Sequence, residues 1–230
     1  METNSKKTIY FLRHGKTDSN VKVLVQGASE PLSEIGQQQA QFLGQRLSSL
    51  NFENIIASSD LRAAQTAKIA NEKLGKTLEL SDLFVERRNP SSLIGKEALG
   101  EEVQEIYKQI RANAADHDWH YEDEENFNDV RTRAVSALKL LIERPETSLA
   151  VFTHGNFLSV MLGVIIFGEN ITQETWGFMR QSIELSNTGV TICEYFYNYK
   201  ATGQGKWRIL TVNDHAHLAD LVEELPEGQK

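Results

Sequence analysis

Three short apolar runs organise this sequence. Thr8–Leu12, Asn54–Ser58 and Leu149–Thr153 are each β-prone, and each breaks off into a polar cluster followed by a helical pattern. Arg13-His14-Gly15 follows the first run, Ser58-Ser59-Asp60-Leu61-Arg62 the second and His154-Gly155 the third. Repeated strand-then-helix units build a mostly parallel α/β sheet. Ser33 is placed to cap a helix with Gly36 in its first turn, continued by Gln39, Ala40, Phe42, Leu43 and Leu47. Asp60 is expected to cap the next, which carries Leu61, Ala64, Ala67, Ile69 and Ala70. Glu101 and Glu102 open a third, and Val130 to Leu141 a fourth, stopped by Pro145. A fifth runs from about Phe157 to Phe167, before a β-rich tail of Gly189–Tyr197 and Trp207–Val212 with a turn at Thr202–Gly205.

At 230 residues, with no internal repeat, low-complexity tract or Pro/Ser-rich linker, the chain reads as one domain with one sizeable core. A net charge of -8 argues against nucleic acid or an anionic membrane as partner. A few arginines can still make a positive pocket for a small anion. Cys193 is the only cysteine, which excludes an intrachain disulfide and a cysteine metal cluster and fits a cytoplasmic setting. The run after Lys6-Lys7 is too short for a signal peptide, and no stretch reaches membrane-helix length. Nothing in the pattern sets an oligomeric state.

In open α/β sheets, ligands bind beyond the carboxyl ends of the strands, near helix N-termini whose free N–H groups favour anions. Two arginines and two histidines, remote in sequence, would then converge on one crevice. These residue types suit a phosphate. A guanidinium grips phosphate oxygens as a planar fork and stays charged. A neutral imidazole is a competent nucleophile when one nitrogen donates a hydrogen bond and the other attacks. Gly15 lets the backbone come close and offers a carbonyl to fix the tautomer of His14. A second histidine, protonated, can bind the equatorial oxygens as charge shifts in transfer. Phosphoryl transfer is mostly positioning and charge stabilisation, so this set would work without a metal or other cofactor.

Arg13-His14-Gly15-Lys16-Thr17, with Asn20 six residues beyond His14, resembles the opening of the histidine phosphatase (phosphoglycerate mutase-like) superfamily. The likeness continues in order through Gln26-Gly27, Pro31 to Gly36, Gln39-Ala40, Ala57 to Thr66 and Phe152-Thr153-His154-Gly155. Weaker echoes lie at Glu125 to Phe127 with Arg131 and Arg133, and at Trp207 to Asp214. The resemblance implies a three-layer sandwich, a mostly parallel sheet with helices on both faces. It implies His14 as the nucleophile that forms a phosphohistidine, Glu86 as general acid, and Arg13, Arg62 and His154 as holders of the phosphate. Asn20, Gln26 and Gly27 fall where family members touch substrate, and Thr17 where a supporting hydroxyl stands. A helical and loop insertion around 87–130 would cover the site.

One departure is plain. Many relatives follow the acid with Tyr-Gly or Phe-Gly, whereas here Glu86 is followed by Arg87-Arg88-Asn89-Pro90. A different substrate-facing loop is expected, with Arg87, Arg88 and Lys96 the candidates to read a second anionic group. The expected activity is hydrolysis of a phosphomonoester of a small metabolite. Mutases of the family carry a longer segment between acid and second histidine, and only 68 positions separate Glu86 from His154. The alternatives are phosphoglycerate mutase-type transfer and a catalytically silent phosphate-binding domain. Asp116 to His120 reads as a hydrophilic loop rather than a metal site. His215 and His217, expected on one strand face, lack a third ligand.

Overall fold

The computed structural model describes residues 6–219. Its strands are β1 (Lys6–Arg13), β2 (Asn54–Ser58), β3 (Leu78–Ser81), β4 (Ser148–Thr153), β5 (Val190–Phe196) and β6 (Lys206–Asp214). They form one sheet in the order β3-β2-β4-β1-β5-β6. The ladders joining β3, β2, β4 and β1 are parallel, and those joining β1 to β5 and β5 to β6 are antiparallel. The helices are α1 (Asp18–Lys22), α2 (Glu34–Leu47), α3 (Leu61–Leu74), α4 (Glu101–Ala112), α5 (Phe127–Glu143), α6 (Gly155–Phe167) and α7 (Gln173–Ser182).

Period-two alternation in the central strands makes the three layers. Ile9 and Phe11, Ile56, and Leu149 and Val151 pack on one side with α5 and α6. Leu12, Ile55 and Ala57, and Ala150 and Phe152 pack on the other with Leu43, Leu47, Ala67 and Ala70 of α2 and α3. The expected three-layer α/β sandwich is therefore the observed one. A small satellite core joins Val103, Ile106 and Ile110 of α4 to Leu93 and Val25.

The caps explain where helices start. Ser33 accepts the N–H of Gly36 at 3.1 Å, as its sequence context predicts. Asn126 and Asp129 form a reciprocal capping box at α5. Asp60 occupies the cap position of α3, yet its side chain makes no capping bond. That corrects the sequence expectation; the carboxylate is used elsewhere. α6 begins two residues earlier than its apolar pattern suggests, because His154 and Gly155 form its first turn. His215 and His217 lie past the end of β6, in a turn, rather than sharing a strand face. Three elements lack a sequence signal. α1 is five residues long, β3 is a four-residue edge strand with no fully buried position, and α7 buries no residue fully.

Lys7 is the largest departure from the rule that strands bury only apolar side chains. It is 2% exposed, and its ammonium donates to the carbonyls of Leu141 at 2.8 Å, Ile142 at 3.2 Å and Arg144. These are C-terminal carbonyls of α5 and its cap, where a cation also meets the helix dipole favourably. Lys7→Met keeps the length and deletes the donors. Buried carbonyls left unmatched cost about 1–3 kcal/mol, so urea unfolding should show a loss of that size, with activity per folded molecule unchanged.

Candidate active site

The register of β1 on β4 pairs Arg13 with Thr153, so the residues that follow, His14 and His154, leave the sheet side by side. The His14 N–H donates to the Thr153 carbonyl at 3.0 Å, and the two imidazole centroids lie 5.2 Å apart. Both rings are enclosed, His14 at 1% exposure and His154 at 0%. Arg62 comes from the first turn of α3, one strand over, and is equally buried. Its Nε lies 3.2 Å from His14 Nε2, and its Nη1 donates to the Gly27 carbonyl at 2.8 Å. The four groups expected to converge do so.

His14 Nδ1 is 2.7 Å from the Gly15 carbonyl, which places the ring proton on Nδ1 and leaves Nε2 a lone pair. The carbonyl can reach because Gly15 packs directly on Gly36: a Cβ on Gly15 would stand 2.6 Å from the Gly36 carbonyl oxygen. Burial first, then the charges of Arg62 and Arg13, hold His14 well below the ordinary histidine range. The same causes hold His154 down, with burial leading, then Arg62, His14, Arg13 and Arg133. Burial and the surrounding guanidiniums thus favour the neutral ring of His154 in the absence of an anion.

Arg13 donates from Nη1 to the Leu185 carbonyl at 2.5 Å, and its buried Nε has no partner among the described residues. Its guanidinium lies across Gly155, where a Cβ would stand 3.1 Å from Arg13 Nε. Burial pushes Arg13 down to about 10, partly offset by Glu86, which leaves it cationic. Glu86 reaches the N-terminus of α6. Its Oε1 accepts the Phe157 N–H at 2.8 Å and the Arg87 N–H at 2.8 Å, and its Oε2 accepts the Asn156 N–H at 3.1 Å. The loop bearing it is held by Arg133, which donates to the Val85 carbonyl at 2.7 Å and forks onto Glu125.

Two cavities meet at Glu86 and Gln26. One, of about 480 Å³, is lined by Arg13, His14, Gly155 and Asn156, together with Arg180 and Glu184. The other, of about 510 Å³, is lined by Gly27, Arg62, Arg88, Asn89 and Asp123. Gln26 lines both, donating to Thr17 Oγ1 at 2.5 Å. Asn20 lines neither. Its amide oxygen accepts from Thr17 N at 3.1 Å in the capping box of α1, and Asn187 joins it to the His14 carbonyl. Of the three basic candidates in the altered loop, Arg87 is tied to Glu124 at 2.6 Å and Lys96 to Glu102 at 2.6 Å. Only Arg88 lines a cavity without a side-chain partner.

The sequence model of the histidine phosphatase superfamily (branch 1) matches residues 9–215. The chain belongs to the histidine phosphatase superfamily. Among curated relatives, it is 28% identical over 228 residues to the protein named probable phosphoglycerate mutase GpmB of Salmonella arizonae. That match spans 94% of this chain and 98% of the relative. Among solved structures, it resembles YhfR of Bacillus stearothermophilus at 26% identity and TM-score 0.69, over 91% of this chain and 98% of that one. It shares its fold with a mycobacterial glucosyl-3-phosphoglycerate phosphatase at 20% identity and TM-score 0.72, over 90% and 99%. A phosphoserine phosphatase of Entamoeba histolytica matches at 22% identity and TM-score 0.67, over 92% and 99%.

Within this superfamily fold, the polar residues that pattern reading missed are supports. Thr66 Oγ1 accepts the Gly15 N–H at 3.0 Å, and Thr188, at φ +58°, donates its N–H to the Arg13 carbonyl at 3.1 Å. Asn187 Nδ2 donates to the His14 carbonyl at 2.9 Å. Nothing in a lone Ser186-Asn187-Thr188 turn marks it as part of a site, since its partners lie over 160 positions away. Among the described residues, no helix is long and apolar enough to cross a membrane.

Two outcomes follow from this geometry. The folded pKa values of His14 and His154 lie below the unfolded value near 6.5, so their full stability contribution holds above that pH. It is lost as pH falls from about 6.5 toward the folded values, at up to about 1.4 kcal/mol per pH unit for each ring. Urea unfolding between pH 7.5 and 5.5 should show this slope, and a His14→Gln/His154→Gln double variant should make it much shallower. Gly155→Ala should push the Arg13 guanidinium aside by a few tenths of an ångström. Inorganic phosphate binding, measured by calorimetry, should then weaken on the order of tenfold.

Proposed function

We propose that this chain is a metal-independent phosphatase that hydrolyses a phosphomonoester of a small metabolite through a phosphohistidine on His14. One observation carries the reading. A neutral, buried imidazole with Nδ1 tied to a carbonyl presents the Nε2 lone pair amid Arg13, Arg62 and His154. The lone pair attacks phosphorus, and the bond from phosphorus to the leaving oxygen breaks as Glu86 gives that oxygen its proton. Water then attacks the phosphohistidine and gives a proton to the Glu86 carboxylate. The P–N bond breaks, freeing inorganic phosphate and neutral His14. Arg13, Arg62 and His154 spread the charge on the equatorial oxygens. Both Glu86 oxygens accept backbone N–H groups, so before the transfer the side chain turns off α6 and takes up a proton from solvent or from the monoanionic phosphomonoester, and the proton regained from water is returned when it docks again.

The leaving group takes the cavity beyond Glu86, roofed by the 87–130 insertion, as part of a single-domain enzyme. Gln26 and Gly27 face it, while Asn20 acts through Asn187. The lining mixes Arg88, Asn89, Ser91 and Asp123 with Val85 and Ile94, which suits a leaving group bearing both polar groups and an apolar face. A cytoplasmic setting fits the single, buried, unpaired Cys193. Phosphoglycerate mutase-type transfer is the second reading, favoured by the name carried by the 28% identical relative. Against it stands the short interval between Glu86 and His154, since a mutase must hold its intermediate away from water. Product analysis with 3-phosphoglycerate and a catalytic bisphosphate separates the two.

His14→Ala should lower phosphate release from a metabolite panel in EDTA by at least about 10³-fold. Equal release by both proteins would sink the reading. Rapid quenching of the wild type with a fast phosphodonor should trap an acid-labile, base-stable phosphoryl group that the variant lacks.

A further inference from the structure

At an N-cap, an aspartate ordinarily accepts the N–H of the second or third helical residue. Asp60 forgoes it at α3. Its buried carboxylate is turned into the site, where Oδ2 accepts the Glu86 N–H at 3.0 Å. The same oxygen lies 3.2 Å from His154 Nε2 and 3.6 Å from Arg62 Nη2. Three site residues from three separate stretches of chain thus share one oxygen atom. A local rule broken at this point, with the side chain committed to the site instead, is the signature of a functional demand.

The surroundings of His154 give that demand a content. Ser58 Oγ is 2.8 Å from Nε2 and already accepts the Asp60 N–H at 3.1 Å. A lone pair on Nε2 would face the Asp60 carboxylate, so the ring proton belongs on Nε2. Nδ1, buried and without a partner among the described residues, is then bare. The cations around this ring are Arg13 from β1, Arg62 from α3 and Arg133 from α5, opposed by Asp60, whose own carboxyl is held above the usual range by burial; His14, just past the end of β1, packs against it as a neutral ring. With no ligand the cations and burial prevail and the ring is neutral. A bound phosphoryl dianion reverses that balance, and an imidazolium can donate from both nitrogens.

We propose that Asp60 is a positioning residue of the phosphate site. Through one carboxylate oxygen it sets which nitrogen of His154 meets the anion, stabilises that ring once the anion charges it, and anchors the Glu86 backbone and the Arg62 guanidinium. The proton gained by Nδ1 comes from solvent or from the monoanionic form of the ligand, and no other bond is made or broken. The inference rests on the phosphoryl-transfer reading of the site, but part of its test does not.

Asp60→Asn keeps the shape and an acceptor for the Glu86 N–H while removing the charge. With 4-nitrophenyl phosphate, kcat/KM should fall on the order of 10–100-fold. The kcat profile should also change shape. Removing the anion lowers the pKa of the imidazolium in the complex, so the alkaline limb should move down by about one pH unit or more. A merely structural role lowers the active fraction at every pH and leaves the limb in place. The second measurement needs no turnover: ¹⁵N spectra of the ligand-free protein, with His154 assigned through His154→Gln. The wild type should show Nε2–H with bare Nδ1, inorganic phosphate should protonate both nitrogens, and Asp60→Asn should lose the tautomer preference. An unmoved alkaline limb, or an Nδ1–H tautomer in the wild type, overturns the proposal. Absence of turnover on every phosphomonoester would speak instead against the phosphatase reading, with the tautomer deciding the role of Asp60.

Discussion

The parallel pairing of β1 with β4 is the constraint on which the site depends. Arg13 sits opposite Thr153, and the His14 N–H reaches the Thr153 carbonyl. A slip of one residue would reverse the facing of every side chain along β1 and part the two imidazoles. The register is held by the apolar alternation on both faces, Ile9 and Phe11 one way and Leu12 the other. At the N-terminal end of β1, Lys7 locks the strand onto the carbonyls ending α5. Core packing at one end of the sheet therefore sets catalytic geometry at the other.

A second theme is the treatment of helix N-termini. α3 and α6 both start at the carboxyl ends of neighbouring strands, and neither is capped by its own N-cap side chain. Asp60 and His154, the residues at those positions, are turned toward each other, Asp60 Oδ2 lying 3.2 Å from His154 Nε2. The debt at α6 is met from a distance by Glu86, which supplies the missing acceptors to Asn156 and Phe157. Local helix stability is exchanged for a cluster in which each polar group holds another in place.

Sequence reading reached the parts of this fold governed by local physics. Buried strands show as apolar runs, Ser33 and Gly36 announce a cap, and the clusters after β1, β2 and β4 predict convergence because strand ends in a parallel sheet share one edge. The Gly15 carbonyl was legible as the partner of His14 because it is the next residue. What escaped depends on partners distant in the chain. Asp60 looked like an ordinary cap, since its spacing from the helix fits that role and its true contacts, Glu86 and His154, lie 26 and 94 positions away. Asn187 and the Leu185 carbonyl have no pattern at all. β3 and α7 were invisible because neither buries a full apolar face. The crowding of guanidiniums around His154 is equally hidden, because they come from β1, α3 and α5.

The way Glu86 sits on α6 ties chemistry to the state of a helix end. An amide pair at that terminus always wants a negative partner, and in the ligand-free protein a side chain of the enzyme itself fills the role. In the proposed mechanism, a phosphoryl group bound beside Gly155 would bring its own oxygens to the same electropositive edge, so the carboxylate could withdraw without stranding the amides. Substrate arrival would thereby free the Glu86 side chain to take up a proton and become the acid. Such a swap restrains the acid from acting before there is something to act upon.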